Sequence, residues 1–199
     1  MIQAQENDNG RKRCEWVPLS DPLYMKYHDE EWGVPLHVDS KILEMIILEG
    51  QQAGLSWKTI LHKRENLRKA YAHFDPNVIS QFDEDDIRRL LNDSGIIRNR
   101  SKINAAIQNS RSFMKVQEEF GTFDNYIWRF VNNRTVHNSW RSVKDIPPRT
   151  EISDAMSTDL VRRGFKYVGS TICYSHMQAT GMVNDHTLEC FRYRELVKE

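Results

Sequence analysis

The chain has 199 residues, 39% of them hydrophobic, which allows one sizeable core, and a single compact helical unit of two lobes sharing that core is expected. Lys and Arg number 28 and so do Asp and Glu, which excludes a strongly basic protein that coats nucleic acid and leaves any such binding to a local patch. No run approaches the ~18 apolar residues of a membrane span, no charged start leads into an apolar segment with a cleavage site, and three cysteines are too few and too odd for a disulfide framework, so a cytoplasmic protein with no membrane partner is expected.

Residues 1–13 are polar, lack a period and end in Arg11-Lys12-Arg13, so they read as a flexible tail, with the ordered unit spanning 14–199. From Cys14 to Pro35 the chain gathers Trp16, Tyr24, Tyr27 and Trp32 in a segment punctuated by Pro and Gly, with no long helical stripe. Core filling accounts for any one of these rings, while a cluster in irregular structure is also how a flat aromatic ligand is sandwiched.

Lys41 to Trp57 is the stretch around which the rest is organised. Ile42, Leu43, Met45, Ile46, Ile47 and Leu48 are apolar almost all round, the mark of a helix buried by its neighbours. Glu49 follows at once, with Gly50 as a helix break and Gly54-Leu55-Ser56-Trp57 as a turn where backbone can approach a ligand closely. Glu49 is then either a solvated carboxylate at a helix end, where the helix dipole disfavours it, or a carboxylate facing a pocket.

A second helix is expected over Leu55 to Tyr71, then a connector with one helical turn through Ile79. Asp83, with Asp86 three residues on, reads as the cap of a helix through Ile87, Leu90 and Leu91 that ends at Asp93-Ser94-Gly95. Another helix begins near Asn99 or Ser101 and runs through Phe113, and a short one covers Phe123 to Asn132. Asn132 to Arg149 is a polar loop containing Pro147-Pro148, and two helices, Glu151 to Arg163 and Val168 to Thr180, close the chain with Gly164 and Gly181 as their stops. No alternating strand pattern appears, so the fold class is all-α.

Two constellations carry chemistry. His186 and Cys190 are four apart, so on a helical turn they point the same way, while Cys14 and His28 lie at the other end. Together they form a Cys2His2 set suited to Zn2+, whose filled tetrahedral shell leaves no position for a reacting water, so the metal would be structural. Thirteen residues separate Cys14 from His28, unlike the usual short ligand pair, and a buried free Cys190 beside an ordinary surface His186 is the other reading. Cys173 reads as core. The second constellation runs from Leu90 to Ile103: a helix, a turn at Gly95-Ile96-Ile97, then Arg98, Arg100 and Lys102 at a helix start. Exposed N–H groups and cations there could grip a DNA backbone, and the alternative is an ordinary helical hairpin with a solvated basic face.

CEWV, DPLYMKYHDEEWGVP, LEGQQAGLSW, SGIIRNRSKI, RRGFKYVGSTICYSHMQATG and VNDH together resemble the bacterial 3-methyladenine DNA glycosylase I family, over roughly Cys14 to Cys190. That resemblance implies a helix-hairpin-helix glycosylase fold whose N- and C-terminal segments are joined by one Zn2+ on Cys14, His28, His186 and Cys190. It implies that Glu49 and Tyr27 take part in the chemistry, that Trp57 binds the base with Trp16, Tyr24 and Trp32 near it, and that Gly54, Leu55, Gly95, Ile97 and Arg98 contact DNA. The partner would be double-stranded alkylated DNA, met by a monomer, and the product free 3-methyladenine. The helix after the hairpin carries no Asp to assist water, Asp124 being the nearest downstream, and Asn99 stands where lyase-type relatives hold a nucleophilic Lys. A monofunctional hydrolase with water as nucleophile follows. A non-catalytic, zinc-stapled damage-binding module is the alternative, and a helical interaction protein would leave the aromatics and Glu49 without a role.

Overall fold

Most of the helices begin at caps that their own sequence supplies. In the computed structural model, which describes residues 10–198, Asp21 accepts from the Tyr24 amide to cap α1 (Pro22–Glu30), with Pro22 at the first helical position, where its missing N–H costs nothing. The expectation of irregular structure here is therefore corrected: Ser-Asp-Pro is a helix start, and α1 is short enough that its apolar stripe does not show. α2 (Asp39–Gln52) follows, then α3 (Trp57–Ala70), capped by Ser56. After the turn of α4 (Pro76–Ile79), Asp83 and Asp86 form a reciprocal capping box on α5 (Glu84–Asn92). Asn99 caps α6 (Arg100–Phe120), accepting from the Lys102 amide, and Thr122 caps α7 (Phe123–Ile127). Thr150 opens α8 (Glu151–Arg162), followed by α9 (Ser170–Ala179) and α10 (Phe191–Lys198).

Two expectations give way. α10 is a third closing helix, and His186 and Cys190 sit ahead of it in a turn closed by Cys190 N–H donating to Thr187 O at 2.8 Å, so they are not on a helix face. The helical class also admits one strand pair: β1 (Val136–His137) in the polar loop lies parallel to β2 (Val183–Asn184), a pairing of two residues each that leaves no alternating pattern to read.

α2 is the central element, packed by α3, α6, α7 and α9, with every residue from Ile42 to Gln51 buried. Burial on all sides agrees with its apolar side chains, each large one contributing about 1.5–3 kcal/mol of transfer free energy, and Glu44 among them is buried against Arg64 and Arg68. Gly50 does not end it. The helix continues to Gln52, and a Cβ at Gly50 would make only ordinary van der Waals contact, 3.5 Å from Tyr167 Cβ. The turn itself is at Gly54, with φ +76°. α8 packs on α9, and the apolar side chains of these helices form one connected core. Of the expected tail, residues 1–9 lie outside the described residues; Lys12 O accepts from Phe191 N–H at 2.9 Å and Arg13 grips Asp29. No helix among the described residues is long and apolar enough to cross a membrane.

Candidate active site and metal centre

α2 carries Glu49 to the floor of a cavity of about 370 Å³. α1 and its approach supply Trp16, Tyr24, Tyr27 and Trp32, α3 begins with Trp57, and the loop before α8 adds Pro147 and Pro148. The six aromatic and acidic residues singled out in the sequence thus line one cavity. The Tyr27 and Trp57 ring centres are 5.3 Å apart, Trp16 and Trp32 4.8 Å, and Trp16 and Tyr24 5.8 Å. This fits a pocket for a flat aromatic molecule.

Glu49 is 4% exposed, which removes the solvated-carboxylate reading. Its Oε2 lies 2.9 Å from Nδ1 of His176 on α9, while its Oε1 and His176 Nε2 have no hydrogen-bond partner. Burial pushes the Glu49 carboxyl above the usual range, and the neighbouring imidazole opposes that rise. Burial, then the nearby carboxylate, pushes the Tyr27 hydroxyl well above its ordinary value, so it remains a neutral donor. The indole Nε1 of Trp57 is also buried without a partner.

Several lining residues were not found from the sequence: Gln52, Thr171, Tyr174, Ser175 and Gln178. Tyr174 and Gln178 are held by Asp185, whose buried carboxylate accepts from the Tyr174 hydroxyl at 2.6 Å, Gln178 Nε2 at 2.8 Å, Trp140 Nε1 at 2.8 Å and Asn138 Nδ2 at 2.7 Å. Four donors on one carboxylate bind α9 to the loop that carries the prolines. The i, i+3, i+4 run of Thr171, Tyr174, Ser175 and Gln178 is the signal that one face of α9 is a pocket wall.

Cys14, His28, His186 and Cys190 are all buried, and one ligand atom from each lies within 4.8 Å of the others. Cys190 Sγ is 3.5 Å from His28 Nε2 and 3.4 Å from His186 Nδ1, and Cys14 Sγ is 3.6 Å from His186 Nδ1. The far ring nitrogens are held as well: His28 Nδ1 lies 2.8 Å from Asp29 Oδ1, and His186 Nε2 lies 2.9 Å from Trp32 O. If both far nitrogens donate, the near ones present lone pairs inward, as metal-bound imidazoles do. The neighbouring Cys14 thiol favours Cys190 as the thiolate, while that same contact and burial keep Cys14 protonated in the absence of a cation. Donor set, burial and outer contacts fit a four-coordinate metal ion, and this disfavours the reading of a free Cys190 beside a surface His186. The centre also touches the cavity wall, because His28 packs edge-on to Trp16 at 5.1 Å and His186 edge-on to Trp32 at 4.6 Å.

Leu55 is exposed on the turn at Gly54, where a Cβ would meet nothing within 4 Å. Gly95, Ile97 and Arg98 lie in the turn between α5 and α6, with Arg98 exposed and Ile97 half-buried. Lys63 of α3 donates to Ser94 O at 3.2 Å and Gly95 O at 3.0 Å. Lys102, expected to join the basic face, is instead turned inward, donating to Gln51 O at 2.8 Å and Ala53 O at 2.6 Å. It satisfies the carbonyl end of α2, where a cation is favoured, and ties the hairpin to the residue before Gly54. Arg100 pairs with Glu84, and Asp124 accepts from His37 and does not line the cavity.

The family model described as methyladenine glycosylase matches residues 16–193 of the chain. DNA-3-methyladenine glycosylase 1 of Escherichia coli (strain K12) is 50% identical over 182 residues, covering 92% of this chain and 97% of its own. A crystal structure of 3-methyladenine DNA glycosylase I superposes with a TM-score of 0.87 at 51% identity, over 90% of this chain and 98% of the other. A variant of 3-methyladenine DNA glycosylase I in complex with 3-methyladenine superposes with a TM-score of 0.84 at 31% identity, over 86% and 92%.

Proposed function

The chain belongs to the methyladenine glycosylase family and is accordingly a DNA-3-methyladenine glycosylase, a hydrolase of N-glycosyl bonds; from that premise we propose that it draws 3-methyladenine out of duplex DNA into the cavity beside Glu49 and cleaves it with water alone. The observation that carries this reading is a buried carboxylate with one unpartnered oxygen, Oε1 of Glu49, on the wall of an aromatic cavity.

A base must leave the stack to be cut, and a methylated base that pairs poorly costs less to extrude. Leu55 is the wedge that holds the vacancy, and the turn of Gly95, Ile97 and Arg98 grips the backbone in the manner of a helix-hairpin-helix. In the pocket, Trp57 gives the purine a stacking face, with Tyr27 as a second wall. Alkylation at N3 puts positive charge on the ring in DNA, adding a cation-π component of about 1–2 kcal/mol. Glu49 accepts from the amino edge of the base, and its negative charge favours a cationic base over neutral adenine. The base departs neutral because the methyl group already supplies the charge that protonation would otherwise provide. Asn99 carries a carboxamide, whose oxygen caps α6, and no amine, so no Schiff base forms there and the reaction is monofunctional.

Zn2+ is the ion we assign to the Cys2His2 cluster, where it would be structural. The protein acts as a monomer in the cytoplasm. Incubation with methylated duplex DNA should release 3-methyladenine and leave an intact abasic strand; release of no base would favour the damage-binding alternative, and strand cleavage would overturn the monofunctional reading.

A further inference from the structure

Glu49 and His176 are joined across the core, α2 to α9, with Oε2 and Nδ1 2.9 Å apart and both side chains about 5% exposed or less. Nothing in base stacking or water attack uses His176. With Ile46, Ile127, Met156 and Leu160 it lines a small, mostly apolar cavity, and its Nε2 has no partner. An N–H at Nε2 would be an orphan donor, a rarer arrangement in native proteins than an unfilled acceptor, so the proton belongs on Nδ1, donated to Glu49.

Resting on the reading of Glu49 as the base-recognising carboxylate, we infer that His176 is a positioning residue for lesion recognition: its Nδ1–H fixes Oε2 of Glu49 and keeps the group ionised, so that Oε1 is presented to the methylated base. A buried carboxylate without a donor would prefer to be neutral and would lose its preference for a cationic base. The other titratable groups facing the pair are Tyr27 from α1, Cys173 and Tyr174 from α9, and Tyr167 from the loop before α9. Burial, then the Glu49 charge, pushes the Cys173 thiol up to about 12, and burial likewise raises Tyr27 and Tyr174. None of these three takes over as a charged partner near neutral pH.

The test is the pH dependence of 3-methyladenine binding, measured by calorimetry on the full metal-loaded chain carrying His176→Phe or His176→Asn. Phe keeps a ring but removes the donor, whereas the Asn amide restores an N–H near the place of Nδ1. The acidic limb of binding should move up by about one pH unit or more with Phe, a tenfold or greater weakening on that limb, and return toward the parent's with Asn. Titration of the free base itself is common to all three proteins and cancels in the comparison. An acidic limb at the parent's position in His176→Phe, or an equal shift in both variants, would overturn the inference. Glu49→Gln separates the two readings: if it binds as tightly as the parent, the recognition role of Glu49 fails; if it binds weakly while His176→Phe shifts nothing, only the role of His176 fails. Should His176→Phe not fold, His176→Leu removes the donor in its place and is compared with His176→Asn in the same way: a shift in Leu that Asn reverses supports the inference, and a limb at the parent's position in Leu overturns it.

Discussion

Glu49 is a carboxyl that burial pushes toward neutrality and His176 holds back, and that tension makes it the most informative single residue to change. Gln preserves its size but turns one acceptor into a donor facing the adenine amino group, and losing a charge-assisted hydrogen bond costs about 1.5–3 kcal/mol. Binding of free 3-methyladenine should therefore fall roughly ten- to a hundredfold by calorimetry, with non-specific DNA binding unchanged. Leu55 makes the complementary case, since its side chain is 41% exposed and contributes little to the core. Leu55→Ala should leave the affinity for free 3-methyladenine as it is and slow excision from duplex DNA, a separation that single-turnover assays beside base-binding measurements would reveal. Equal loss in both would remove Leu55 from its role as wedge.

At the scale of elements, legibility followed the strength of the local signal. α2 was readable because apolar side chains cover nearly its whole circumference, and α5 because Asp83 and Asp86 form a capping box. α1 was not, although Asp21 and Pro22 announce it, because nine residues give barely two turns of stripe. His176 was invisible because its partner lies 127 residues away. Lys102 was misread for the same reason, its acceptors being set by how α6 crosses the end of α2. Lys102→Met should leave two carbonyls without their cation and destabilise the protein by about 1–3 kcal/mol in urea unfolding. Arg98→Ala, on the exposed side of the same hairpin, should leave stability alone, weaken binding to DNA of any sequence and reduce the salt slope by about one ion.

Asp21 carries a pH signature for α1. Its hydrogen bond to His62, joined by Lys58 and the Tyr24 amide, holds its carboxyl down at about 2. A carboxyl depressed below its unfolded value near 3.9 stabilises the fold fully above about pH 4, and that contribution is lost as pH falls toward 2. Asp21→Asn keeps a capping oxygen and should flatten the acid side of the stability profile over that window, as read by urea unfolding at successive pH values.

Over the whole molecule, the Cys2His2 cluster and the cavity form one assembly, because the rings of His28 and His186 pack edge-on against Trp16 and Trp32. Asp29→Ala removes the carboxylate behind His28 and should weaken metal affinity by about 10–100-fold, measured by competition with a chelator. Cys190→Ser should abolish stoichiometric metal in elemental analysis and lower the melting temperature, and base binding should weaken with it as the aromatic wall loosens.

Cys14 and His186 meet across 172 positions of chain. Contacts closed over so long a loop carry a high entropic cost and are expected to form late. The cluster should then be unformed at the folding barrier. Metal supplied or withheld should leave the refolding rate nearly unchanged and alter almost solely the rate of unfolding, the behaviour expected of a latch on a finished molecule and not of a nucleus around which it assembles.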